Sequence, residues 1–188
     1  MSTLLEHLRR SLARPVVARC PPDLPEAAIA AVFTPALELL VIQRAEQDGD
    51  PWSGHLALPG GRREPADRSL RHTAMRETWE ELGLSLEGAE YLGALDPVAP
   101  LMSRRMCVWP YAFLLRQEPV PAPNEEVAEV FSVPLARLLA GEGRRTMPLE
   151  WGGSRLSFPC VEIDGRCLWG LTLRVVDQLL DRIERRDR

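Results

Sequence analysis

The period of the apolar positions changes several times along this chain. Residues 3–12 carry apolar side chains at helical spacing with acid and base between them. They predict an amphipathic helix with Ser2 as its N-cap. Residues 15–25 form a proline-rich connector. A small-apolar run at 27–33 and ELLVIQR at 38–44 predict two strands, and QDGDPW at 47–52 predicts a turn. Residues 55–58 read as a strand entering a glycine loop at Pro59, Gly60 and Gly61. Residues 69–82 predict a helix that Gly83 closes as its C-terminal cap. Strands follow at 90–95 and 107–115, separated by a loop over 96–105 that holds two prolines. Residues 127–133 predict another strand, and 134–139 a short helix that Pro134 starts. Residues 155–158 and 159–163 read as the two arms of a late hairpin. Residues 170–185 predict a C-terminal amphipathic helix with Leu171, Val175, Leu179 and Ile183 on one stripe. Strands mixed with helices in this way indicate an α/β or α+β fold.

Composition narrows the class. At 188 residues the chain suits one domain, with 1–25 as helix and connector and 26–188 as core and C-terminal helix. The net charge of −4 argues against a dedicated nucleic-acid binder. No run of eighteen apolar residues is available to span a membrane, and the N-terminus lacks the apolar core of a signal peptide. A cytoplasmic protein is expected, with a homodimer left open. The four cysteines, Cys20, Cys107, Cys160 and Cys167, show no metal-ligand spacing and read as buried reduced thiols. All 23 basic residues are Arg. A P-loop or a Schiff-base mechanism, each of which needs Lys, is thereby excluded. Phosphate contacts must come from Arg.

The densest chemistry lies on the helix at 69–82. Glu77, Glu80 and Glu81 fall within a sector of about 100° on a helical projection. Met75, Thr78, Trp79 and Leu82 point broadly the other way. Like charges this close repel, and a divalent cation turns the repulsion into attraction; hard oxygen ligands suit magnesium or manganese. On spacing alone a solvated helix face accounts for the same pattern. The neighbours change that balance.

Arg76-Glu77-Thr78-Trp79-Glu80-Glu81-Leu82-Gly83-Leu84, preceded by Pro59-Gly60-Gly61, resembles the Nudix box. That signature runs Gly, five residues, Glu, seven residues, Arg-Glu-U-x-Glu-Glu-x-Gly-U, with U a bulky apolar residue. Three departures stand out. Fourteen residues separate Gly61 from Arg76 where the signature has thirteen. The first Glu falls on Asp67 counting from Gly61, or on Arg68 counting back from Arg76. The first U is Thr78. The insertion and the small residue resemble the coenzyme A diphosphatase branch of Nudix hydrolases. Arg44, Gly54, Pro59-Gly60-Gly61, Leu95 to Val98 and Leu168 to Thr172 resemble that branch too. Its basic segment is replaced by acidic Glu46-Gln47-Asp48-Gly49-Asp50, and its Phe by Leu58.

The resemblance implies an α/β fold, the Nudix-type α/β/α sandwich around a mixed β-sheet. It also implies a hydrolase that cleaves a phosphoanhydride in a nucleoside diphosphate linked to another group. Glu80, Glu81 and the Gly61 carbonyl would hold Mg2+ or Mn2+. Glu77 would bind metal or take the water proton, and Arg76 would orient a site carboxylate. Arg44, Gly60, Arg62 and Arg63 would meet the substrate. Glu126 and Glu129 are candidate downstream carboxylates. Arg62, Arg63, Arg104 and Arg105 are the basic groups available for the 3′-phosphate of coenzyme A. The rival readings are a Nudix pyrophosphatase for another nucleotide and a non-catalytic Nudix-like domain.

Overall fold

The computed structural model describes residues 3–21, 23–50, 52–100, 106–151 and 154–184. Ser2, Arg104 and Arg105, and Arg185 at the expected end of the last helix, lie outside the described residues. In chain order the elements are α1 (Thr3–Leu12), β1 (Glu26–Phe33), β2 (Glu38–Arg44), β3 (Leu56–Ala57), β4 (Gly60–Arg62), α2 (Leu70–Leu82) and β5 (Glu90–Ala94). There follow β6 (Cys107–Leu114), β7 (Val127–Pro134), α3 (Leu135–Leu139), β8 (Arg144–Trp151), β9 (Ser154–Ile163), β10 (Arg166–Trp169) and α4 (Gly170–Glu184).

β1 is the spine of a mixed sheet. It runs parallel to β6 from Glu26↔Cys107 to Phe33↔Leu114, and antiparallel to β4 at Ala27↔Arg62, Ala28↔Gly61 and Ile29↔Gly60. β7 lies on β2, and β5 on β6. A strand sends successive side chains to opposite faces. Ala27, Ile29, Ala31 and Phe33 accordingly join the core under α1 and α4, while Ala28, Ala30 and Val32 join the core under α2. Helices on both faces make this an α/β/α sandwich. A strand buried on both faces reads as an unbroken apolar run rather than an alternation.

Small residues let α2 lie close to the sheet. Ala74 and Thr78 are fully buried, and the Thr78 hydroxyl donates to the Ala74 carbonyl at 2.8 Å. That bond satisfies the polar group of the small residue at the first U position. Ser69 caps the helix by accepting from the His72 N–H at 3.1 Å. Gly83 closes it at φ 64°, its N–H donating to the Trp79 carbonyl at 2.8 Å. Trp79 does not go into the core with Leu82; it is 57% exposed.

Two expectations are corrected. Residues 155–163 are not a hairpin but one strand, β9, whose partners are β8 and β10. Pro159 misleads because it reads as a turn. It faces Thr146 on β8, but β10 ends opposite Cys160, so the missing N–H breaks no ladder bond on that side. The second correction concerns the thiols, which are not all reduced: Cys20 is disulfide-bonded to Cys107, with their Cα atoms 6.1 Å apart. The connector returns along the start of β6, where the Cys107 N–H donates to the Pro25 carbonyl at 2.9 Å. Sequence spacing carries no sign of that approach. No helix among the described residues is long and apolar enough to cross a membrane.

Candidate active site

The site forms where α2 faces the β4 glycines. Gly60 has φ 151°, and a Cβ there would stand 2.6 Å from the Ile29 Cα of β1. Only glycine lets the loop pass so close to the sheet. A Cβ on Gly61 would stand 2.5 Å from the Glu77 carboxyl carbon. The two glycines thus bring consecutive backbone units against α2. The Gly60 N–H donates to Glu81 at 2.9 Å, and Gly61 packs on Glu77.

Arg76 organises the carboxylates. Its guanidinium donates to Glu77 at 2.9 Å, to Glu80 at 2.7 Å and to the Arg62 carbonyl at 3.1 Å. It also makes two 3.2 Å bonds to Asp67. Asp67 is 4% exposed and accepts further from the Thr73 hydroxyl, the His72 ring and the Glu64 N–H. Burial alone would raise its pKa; the Arg76 pairing and these bonds hold the carboxyl well below the usual range instead. Asp67 is the residue on which the first Glu of the signature falls when counted from Gly61. The extra residue therefore lies between Asp67 and Arg76.

The three glutamates of α2 separate by environment. Glu80 is exposed and drawn to Arg76. Glu77 is half-buried, and burial raises its pKa against the pull of Arg76. Glu81 is 3% exposed, and its pKa is pushed up to about 8. Burial is the main cause, helped by Glu77 and Glu126 and opposed by the Gly60 N–H and Arg44. Glu126 acts on both Glu77 and Glu81, because the chain before β7 runs along the end of α2, with the Asn124 N–H on the Glu81 carbonyl at 3.0 Å. Glu129 goes elsewhere and pairs with Arg166 at 2.8 Å.

No three acidic, His or Cys side chains among the described residues stand together as a preformed cation site. The donor chemistry nevertheless fits a hard divalent ion. Glu77, Glu81 and Glu126 are oxygen donors; Glu126 raises the pKa of both Glu77 and Glu81, and Glu77 that of Glu81, a repulsion that a cation relieves.

Beside the glycines lies a cavity of about 480 Å3. Arg44, Arg62, Gly60 and Gly61 line it together with the apolar Ile29, Leu58, Met106 and Val108. Trp52, His55 and Trp169 complete it, with ring centroids 5.1 to 6.4 Å apart. Arg63 does not line the cavity and pairs with Glu26 at 3.2 Å. The aromatic group was not recognisable as a unit in the sequence. Trp52 lies on the turn, His55 just before β3 and Trp169 on β10, and the contact between β3 and β10 brings them together.

Known proteins share this sequence pattern and fold. The chain is 35% identical over 126 residues to the human mitochondrial coenzyme A diphosphatase NUDT8, covering 66% of this chain and 53% of that protein. It is 31% identical over 162 residues to the Nudix hydrolase NudL of Pectobacterium atrosepticum, covering 84% and 83%. A Schizosaccharomyces pombe protein is 41% identical over 128 residues, covering 60% of this chain and 36% of that protein. The chain thus spans about half or less of the human and yeast relatives. Among solved structures, the NUDIX domain of Shewanella oneidensis NrtR in complex with ADP-ribose superposes with a TM-score of 0.56 at 21% identity, covering 88% of this chain and 94% of that one. A MutT protein from Methanosarcina mazei superposes at 0.54 with 20% identity, covering 89% and 99%. The NUDIX domain family matches residues 23–149, and the chain belongs to that family.

Proposed function

We propose that this chain is a metal-dependent hydrolase of the phosphoanhydride in a nucleoside diphosphate-linked compound. The substrate is coenzyme A or an acyl derivative, giving 3′,5′-ADP and 4′-phosphopantetheine. One observation carries the reading. Glu77 and Glu81 lie against Gly61 and Gly60 at the mouth of a cavity that Arg44 and Arg62 also line. Anhydride hydrolysis needs charge neutralisation, an aligned water and a base. Nudix hydrolases generally need a divalent cation. Magnesium or manganese held by Glu77, Glu80, Glu81 and the Gly61 carbonyl would polarise the diphosphate and activate a water.

The chain's own groups do the rest. Arg76, fixed by Asp67, holds the Glu77 carboxylate beside Gly61. Glu77 is half-buried and of raised proton affinity, which suits it to take a proton from the attacking water. Arg44 and Arg62 meet the phosphate oxygens, and the apolar wall excludes water from the uncharged part of the substrate. The human relative's activity supports the coenzyme A assignment, as do the flanking motifs.

A second reading is a Nudix pyrophosphatase for another nucleotide such as ADP-ribose. The cations favour it. Among the described residues, Arg44 and Arg62 line the cavity with the glycines, and Arg63 is engaged by Glu26. A screen of coenzyme A, dephospho-coenzyme A, ADP-ribose, dinucleotides and nucleoside triphosphates, with each metal and with chelator, decides between them by product mass. Turnover in verified metal-free buffer would overturn the metal-dependent reading.

A further inference from the structure

The acidic stretch that replaces the branch's basic segment is a folded turn rather than a solvated charge run. The Asp50 N–H donates to the Gln47 carbonyl at 3.1 Å, and the Ser53 N–H to the Asp50 carbonyl at 3.1 Å. Ser53 also exchanges two 2.9 Å bonds with the Gln47 backbone through its hydroxyl. The base of the turn is closed by Arg44 N–H to the His55 carbonyl at 3.0 Å and Gly54 N–H to the Arg44 carbonyl at 3.1 Å. Within this frame the acids differ. Glu46 and Asp48 are exposed, whereas Asp50 turns inward.

The two Asp50 oxygens serve two residues that line the cavity. Oδ2 accepts from Arg44 Nη2 at 3.0 Å, and Oδ1 accepts from the Trp52 N–H at 3.0 Å. The Trp52 bond and the Arg44 pairing keep Asp50 ionised, below the usual carboxylate range. Arg44 keeps spare capacity. Its Nε is buried and has no hydrogen-bond partner among the described residues, and its charge already reaches Glu81. A buried N–H with no acceptor is costly unless something supplies one. An oxygen of a bound diphosphate has the right chemistry. Trp52 in turn packs edge-on against His55 and lies 6.4 Å from Trp169.

We propose that Asp50 is a positioning residue of the substrate cavity. One carboxylate aims the Arg44 guanidinium at the diphosphate and sets Trp52 against His55 and Trp169, so the guanidinium and the aromatic group are held in register. The proposal rests on the phosphoanhydride reading, because it takes Arg44 as a phosphate contact. It gives the acidic turn a role that its net charge alone would oppose.

The test compares Asp50→Asn, Asp50→Glu, Asp48→Asn, Arg44→Gln and the Asp50→Asn/Arg44→Gln pair in the full chain. Two readouts are used: steady-state kinetics on coenzyme A with magnesium, and calorimetric binding of ADP. Asp50→Asn should raise KM and the ADP dissociation constant about tenfold, with kcat changed less than about threefold. Asp50→Glu should recover part of the loss. Asp48→Asn removes the same charge from the same turn and should behave as wild type. The double variant should be no worse than Arg44→Gln, since Asn keeps an oxygen for the Trp52 N–H and the lost charge acts on the guanidinium alone. The proposal is overturned by equal effects of Asp50→Asn and Asp48→Asn, by additive losses in the double variant, or by tighter binding in Asp50→Asn, which would make Asp50 a competitor of the substrate. A wild-type chain that binds ADP but leaves coenzyme A intact would sink the coenzyme A reading and leave positioning to the ADP arm. A wild-type chain that does neither would overturn both.

Discussion

Asp67 and Arg76 form a forked pair, with Arg76 Nε and Nη2 each 3.2 Å from a different oxygen of one nearly inaccessible carboxylate. Arg76 passes that anchoring on to Glu77 and Glu80. A carboxylate thus stands at the position the first Glu of the signature takes when counted from Gly61, as an Asp paired with Arg76.

Removing that anchor should cost both stability and rate. Asp67→Ala leaves the largely buried Arg76 without its main partner, a loss of about 3 kcal/mol, or roughly 6–12 °C in Tm. The rate should fall on the order of tenfold or more because Glu77 loses its support. Thermal melts and kinetics check both. The pH dependence has a definite sign. A depressed folded-state pKa stabilises above the ordinary Asp value of about 4 and is lost as pH falls below it. The gap between wild type and Asp67→Asn should shrink between pH 7 and pH 3; a constant gap would refute the assignment.

Glu81 should show the opposite sign in metal-free buffer. Its folded-state pKa of about 8 is above the unfolded value, so the fold loses stability as pH rises from about 4.5 to 8. Glu81→Gln should flatten that slope and be the more stable protein at pH 8 by up to about 4 kcal/mol, while losing most activity. Parallel melts at pH 5 and pH 8 in chelator decide it; an unfolded or fully active variant counts against the site.

The two glycines should fail differently. Gly60→Ala sets a methyl against the β1 backbone at φ 151° and should destabilise the fold itself. Gly61→Ala meets the Glu77 carboxylate instead, so the fold should survive while activity falls at least tenfold. Circular dichroism melts alongside rates separate the cases. Equal loss of fold in both would refute the distinction.

Substrate choice turns on the 3′-phosphate. A charge-assisted contact contributes on the order of 1.5–3 kcal/mol. If coenzyme A is read through that group, removing it, as in dephospho-coenzyme A, should lower the specificity constant by about tenfold or more. Equal constants would leave the diphosphatase reading and remove coenzyme A specificity.

Much of this protein was local enough to read from sequence. The helix at 69–82 is legible from its apolar spacing and its Gly83 cap, and β1 and β2 follow from unbroken apolar runs. The Glu77, Glu80 and Glu81 spacing is a property of one helix. What needed tertiary structure was any relation set by chain return. The count from Gly61 reached Asp67, but only packing shows its carboxyl beneath Arg76. Glu126 and Glu129 look alike in sequence; one reaches the glutamates and the other Arg166, because residues 122–126 are tied to the end of α2. Three like carboxylates on one helix become a buried, a half-buried and an exposed one only when the β4 glycines cover part of the face. Pro159 reads as a break until the ladder shows β10 ending opposite Cys160, so that no β10 partner is lost at Pro159. The physical reason is common to all four. Sequence fixes period, caps and charge, which are short-range, whereas burial and partner choice depend on which distant backbone arrives alongside.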